Sequence, residues 1–122
     1  MSQIATIGWI GTGVMGLPMA QHLMDAGYRL RVHNRTPAKA ESLLRRGAVW
    51  CDSPAEVCAQ TEVVFTLLGY PADVRTIYLG DNGLLAHAQA PTLLVDMTTS
   101  EPALARHLAR EGQERGLAVI DA

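Results

Sequence analysis

Apolar positions along this chain fall into short blocks, and the spacing between blocks alternates between strand-like and helical. Residues 4–10 form a mostly apolar run, after which residues 14–26 repeat apolar side chains at helical spacing; Met15, Met19, Leu23 and Met24 are the expected sheet-facing side of that helix. Gly27 stands where a left-handed residue would stop it. A second strand is predicted at 29–33. Thr36-Pro37 then has the form of a cap followed by a first-turn proline, opening a helix that buries Ala40, Leu43 and Leu44 and ends at Gly47. A short strand at 48–50 precedes Ser53-Pro54-Ala55-Glu56, which has capping-box spacing and starts a short helix. Residues 63–68 are nearly all apolar, the pattern of a strand buried on both faces. Val74, Ile77 and Tyr78 mark a helix opening at Pro71, and Gly80-Asp81-Asn82-Gly83 is a turn cluster. Residues 92–95 make a fifth strand, 101–115 a helix stopped by Gly116, and 117–120 a sixth strand.

Strands alternating with helices in this way build an α/β fold, a doubly wound parallel sheet of about six strands. At 122 residues the chain is expected to be one domain, 1–122, large enough to bury a core without staples.

The first strand-to-helix junction carries the chemistry. It reads Gly11-x-Gly13-x-x-Gly16, with an apolar strand before it and a helix directly after it. Gly11 permits the tight turn off the strand, Gly13 lets backbone approach a pyrophosphate, and Gly16 lets the helix pack closely against the sheet. The first helical turn offers N–H groups and the positive end of its dipole to an anion. A phosphate-bearing dinucleotide is the expected ligand, and the sheet is of the Rossmann type.

The residues just after the second strand decide the cofactor. An NAD site places Asp or Glu roughly 20 residues past the first glycine, to accept hydrogen bonds from the ribose 2′-hydroxyl. This chain has His33-Asn34-Arg35-Thr36 there. Arg35 offers a planar fork to a 2′-phosphate and Asn34 and Thr36 add neutral donors, so NADP is favoured over NAD. Lys39, the only lysine, lies just beyond and reads as solvated, with electrostatic assistance to the phosphate as the alternative. At the ends of the fourth and fifth strands, Leu67, Leu68 and Gly69 are either cofactor contacts or plain turn residues. Thr98 and Thr99 carry hydroxyls that suit a ribose or a carboxamide, and Thr99 or Ser100 also suits helix capping.

Charge and cysteine content exclude some classes. The formal net charge is −2 and the basic residues are spread out, leaving no footprint for nucleic acid. With no signal peptide or long apolar span in view, a cytoplasmic protein without a membrane partner is expected. Cys51 and Cys58 lack a C-x-x-C spacing or a nearby histidine and read as small apolar residues, with no metal site expected.

Four separated motifs carry a resemblance: residues 7–20 (I-G-W-I-G-T-G-V-M-G-L-P-M-A), H-N-R-T from His33, G-D-N-G-L-L from Gly80, and V-D-M-T-T-S-E-P from Val95. Together they resemble the amino-terminal domain of the β-hydroxyacid dehydrogenases, the group of 3-hydroxyisobutyrate dehydrogenase, tartronate semialdehyde reductase and the glyoxylate and succinic semialdehyde reductases. The resemblance covers essentially the whole chain. It implies hydride transfer between a nicotinamide and a short hydroxy acid or semialdehyde. It also implies pyrophosphate contacts at Gly11, Thr12, Gly13, Val14, Met15 and Gly16, NADP preference through Asn34, Arg35 and Thr36, and further cofactor contacts at Leu67, Leu68, Thr98 and above all Thr99. The family's substrate loop, catalytic lysine and helical dimerising domain would follow Ala122. No catalytic residue is expected within the chain: Lys39 lies in the wrong motif, and none of His22, His33, His87 and His107 has a context that suggests a substitute. The expectation is therefore a cofactor domain that binds NADP without turnover, whose full-length form takes a small carboxylate substrate and is a homo-oligomer. Two alternatives stand beside it: an imine reductase, against which Asp96-Met97-Thr98-Thr99 leans, and a non-catalytic nucleotide-binding module.

Overall fold

The strand that feeds the glycine turn, β1 (Thr6–Ile10), lies at the centre of a six-stranded sheet, paired in parallel with β2 (Arg29–His33) on one side and β4 (Val63–Thr66) on the other. Beyond these lie β3 (Val49–Trp50), β5 (Leu93–Asp96) and β6 (Ala118–Asp121), giving the order β3-β2-β1-β4-β5-β6 with every pair parallel. This is a doubly wound Rossmann-type sheet whose winding reverses between β1 and β4. The computed structural model describes residues 6–89, 92–98 and 101–122.

Period-2 alternation splits the apolar side chains between two cores. Ile7 and Trp9 of β1, with Leu30 and Val32 of β2, face α1 (Gly16–Asp25), a 3₁₀ turn at Pro37–Ala40, and α2 (Glu41–Arg45). Ile10, Val64 and Leu94 face the other way, toward α3 (Pro54–Val57), α4 (Pro71–Leu79), α5 (Leu84–His87) and α6 (Pro102–Glu114). No helix among the described residues is long and apolar enough to cross a membrane.

The structure changes several local expectations. Helix α1 begins at Gly16, not at residue 14, and its buried positions are Gly16 and Ala20. Met15 and Met19 consequently stand 69% and 38% exposed and are not core, while Leu23 and Met24 pack at the edge of it. Gly16 packs against the glycine turn and Ala20, one turn on, sits in the core with the β1 and β2 side chains, so these two small residues rather than the methionines mark the buried face. Thr36 is extended but its side chain caps nothing, and the predicted helix after it opens as a 3₁₀ turn. Helix α5 has no counterpart among the expected elements, because four residues present too little period to separate them from the preceding turn. Ser53 caps α3 as expected, accepting from the Glu56 N–H, but the Glu56 carboxylate accepts from Asp52 N rather than closing the box on Ser53. Gly27, Gly47 and Gly116 adopt the left-handed conformations expected of helix stops.

Gly8 fixes how closely α3 approaches the sheet. A Cβ there would lie 2.6 Å from Val57 Cγ1 and 2.9 Å from Val64 Cγ2, both on stiff β-branched side chains. Gly8→Ala is therefore expected to lower stability by about 1–3 kcal/mol, read as a lower urea midpoint. An unchanged midpoint would mean that α3 shifts outward freely.

Candidate cofactor groove

The carboxyl ends of β1, β2 and β4 open onto a groove of about 430 Å³. The turn at Gly11, Thr12 and Gly13 forms its floor. One wall is His33, Asn34, Arg35, Thr36 and Lys39; the other is Leu67, Leu68 and Gly69 with Asp73, Thr76 and Ile77 of α4.

The three glycines of the turn have three different surroundings. Gly11 has φ +109°, and a Cβ on it would overlap the Leu67 carbonyl oxygen, so conformation and space both exclude a side chain. Around Gly13 no heavy atom lies within 4 Å of a Cβ position, which leaves its backbone open to the groove. At Gly16 the added atom would overlap the Gly11 carbonyl oxygen, so the close approach is chiefly to the turn itself rather than to the sheet. The same carbonyl accepts a 2.7 Å hydrogen bond from the buried Trp9 indole N–H. Gly11 oxygen is thereby held under the turn. Val14 and Met15 come next, with exposed side chains that do not line the groove.

Asn34 ties the floor to the first wall. Its Oδ1 accepts from Thr12 N–H at 3.3 Å and its Nδ2 donates to the Thr36 carbonyl at 2.9 Å. Thr12 is 3% exposed, and its hydroxyl has no partner among the described residues. A buried hydroxyl without a partner carries a desolvation cost. Arg35 is mostly exposed and reaches across to Asp73, Nη2 to Oδ1 at 2.5 Å.

The second wall is set by a buried network. Tyr78 donates to Thr66 Oγ1 at 2.9 Å, Thr66 donates to Asp96 Oδ1 at 2.9 Å, and the Thr98 N–H donates to the same Asp96 oxygen at 3.1 Å. Burial above all raises the Tyr78 phenol pKa, which keeps it a donor. Thr98 Oγ1 in turn accepts from Leu68 N–H at 2.8 Å. Thr98 is buried behind the groove lining, holding Leu68 in place, and Thr99 lies outside the described residues.

The groove thus brings together Gly11, Thr12, Gly13, Asn34, Arg35, Thr36, Leu67 and Leu68. Sequence reasoning misses Trp9 and Asp73; Lys39 is exposed, as its solvated reading has it, and also lines the groove. Among the described residues no group of three or more His, Cys, Asp or Glu is placed to hold a metal. A dinucleotide fits the groove's lining: open backbone at Gly13 for a pyrophosphate, and two cations, Arg35 and Lys39, on the wall beside it.

Over residues 6–122 the chain matches the NAD binding domain of 6-phosphogluconate dehydrogenase. The chain belongs to this family. It is 50% identical over 117 residues to the mitochondrial protein of Arabidopsis thaliana named probable 3-hydroxyisobutyrate dehydrogenase-like 1, covering 95% of this chain and 35% of that protein. Among solved structures, Mycobacterium tuberculosis 3-hydroxyisobutyrate dehydrogenase with L-serine aligns at TM-score 0.87 and 30% identity, covering 98% of this chain and 40% of that one. The imine reductase from Myxococcus stipitatus in complex with NADP+ aligns at TM-score 0.83 and 28% identity, covering 95% of this chain and 39% of that one. The chain therefore spans roughly two fifths or less of the length of these relatives, and it is an NAD(P)-binding domain of the kind found in 3-hydroxyisobutyrate dehydrogenase-like oxidoreductases.

Trp9→Phe keeps an aromatic ring but leaves the Gly11 carbonyl without its buried donor. The expected cost is about 1–3 kcal/mol of stability, together with weaker dinucleotide binding, measured by urea denaturation and by titration. Unchanged values in both would show that the indole N–H does not hold the turn.

Proposed function

We propose that this domain binds NADP in preference to NAD and serves an oxidoreductase that moves hydride between the nicotinamide and a short hydroxy acid or semialdehyde, of the 3-hydroxyisobutyrate or tartronate semialdehyde type. The observation that carries the cofactor reading is the charge on the wall after β2: Arg35 and Lys39 stand there, with no carboxylate at the position an NAD site uses. A guanidinium matches a phosphate bidentately, whereas a 2′-hydroxyl gives it little to bind.

In this reading Gly11, Thr12, Gly13, Val14, Met15 and Gly16 hold the pyrophosphate, Asn34 keeps the floor and first wall in register, and Arg35 with Thr36 meets the 2′-phosphate. Leu67 and Leu68, braced by Thr98, and Thr99 supply the remaining contacts. When bound, the nicotinamide donates or accepts the hydride. Substrate carboxylate binding and proton transfer fall to the part of a full-length relative that this chain does not span, so the domain alone is expected to bind cofactor without turnover. Homo-oligomerisation belongs to the same full-length protein. The name of the relative at 50% identity supports the hydroxyacid chemistry; the aligned imine reductase with NADP+ supports a second reading, in which the same hydride donor serves an imine carbon.

Titration of the chain with NADPH and NADH at matched ionic strength tests the reading, with tighter NADPH binding expected. Arg35→Asp should reverse the preference. Unaltered NADPH affinity in that variant would remove Arg35 as a phosphate ligand, and a wild-type chain that binds neither nucleotide would sink the dinucleotide reading.

A further inference from the structure

We infer that Asp73 is a specificity-determining residue of this groove, competing with a ribose 2′-phosphate for the Arg35 guanidinium; the inference rests on the NADP reading above. Arg35 and Asp73 come from opposite walls, 38 residues apart in the chain, and their ion pair spans the groove between them. The two partners differ in freedom. Asp73 lies in the first turn of α4, where the helix dipole favours its negative charge, and its side chain is only 25% exposed. The Arg35 side chain is 82% exposed, on a long stem from a loop. The carboxylate is the fixed partner and the guanidinium the movable one.

Binding of a 2′-phosphorylated dinucleotide is then an exchange of partners. A phosphate monoester presents more negative charge and one more oxygen than a carboxylate, so it draws Arg35 away from Asp73. A 2′-hydroxyl offers no such competitor and leaves the pair closed. Asp73 accordingly lowers affinity for the phosphorylated cofactor and leaves the unphosphorylated one nearly untouched, so the preference for NADP is smaller than Arg35 alone would produce. An aspartate that instead served only to orient Arg35 would act in the opposite direction.

Asp73→Asn tests this by titration with NADPH and NADH beside the wild-type chain. Because the Arg35 side chain is largely exposed, the expected gain is modest: roughly threefold to fivefold tighter NADPH binding, with NADH unchanged within about twofold. The gain should vanish in an Arg35→Ala background. Asp73→Ser, which keeps a polar side chain in the first turn of α4, should behave as Asp73→Asn does and guards against a folding effect. Unchanged or weaker NADPH binding in both variants, or an equal gain for NADPH and NADH, overturns the competition while leaving the cofactor reading intact. A wild-type chain that binds neither nucleotide overturns both together.

Discussion

The groove depends on a lack of space at Gly11. Leu67 N–H donates to the Ile10 carbonyl at 3.0 Å, closing the carboxyl ends of β1 and β4 on each other, and the Leu67 carbonyl oxygen occupies the place a Gly11 side chain would need. The chain leaving β1 must therefore turn at once, with positive φ and no Cβ. That turn presses the Gly11 oxygen against Gly16 and the Trp9 indole. A carbonyl oxygen is the group an anion would find repulsive, so burying it under the turn leaves N–H groups and the dipole of α1 as the electrostatic face of the floor.

Strand order then determines what stands beside that floor. Because winding reverses between β1 and β4, the chain leaves β2 and β4 on either side of the glycine turn with no helix between them, and the two departing loops become the walls. Each wall is pinned by side chains bonded to backbone. Asn34 joins Thr12 to Thr36 on one side, and on the other Asp96 and Thr98 join the end of β5 to Leu68. The Tyr78 and Thr66 hydroxyls extend the second brace into the core, so the position of Leu68 is coupled to the packing of α4 against the sheet. A groove with braced walls loses little conformational freedom when a ligand enters, which favours binding.

How much of this is legible in the sequence varies with how local the cause is. Six strands, their alternation with helices and the glycine stops follow from periodicity and left-handed φ, which are properties of neighbouring residues. The glycine turn is legible for the same reason. The face of α1 is not, because Gly16 and Ala20 fix it through close packing, while Met15 and Met19 only have the right spacing. Trp9 disappears into an apolar run, since nothing in that run reveals that its N–H reaches Gly11. Asp73 sits on a different element from Arg35, and an ion pair across 38 residues has no local signature. Thr98 stands out for its hydroxyl and its place at the sheet edge; that its hydroxyl is bonded to Leu68 N–H depends on the tertiary register of β4 and β5.

The groove also divides by solvent exposure, and in the proposed reading that division separates recognition of a dinucleotide from the choice between two. Gly11, Thr12 and Gly16 are buried or enclosed, so contacts there are strong and common to NAD and NADP, whose pyrophosphates are identical. Arg35 stands in water at the rim, where a single ion pair contributes little and salt screens it. A change of charge at the rim can therefore alter which cofactor is preferred without disturbing the fold, because no core residue and no brace of either wall depends on Arg35. The same physics limits how far such a change reaches. Large discrimination would need several rim groups acting on one phosphate, and Lys39 is a second cation on the same wall as Arg35. In the proposed reading, cofactor preference is thus a property of a few exposed charges laid over a buried site that is indifferent to them.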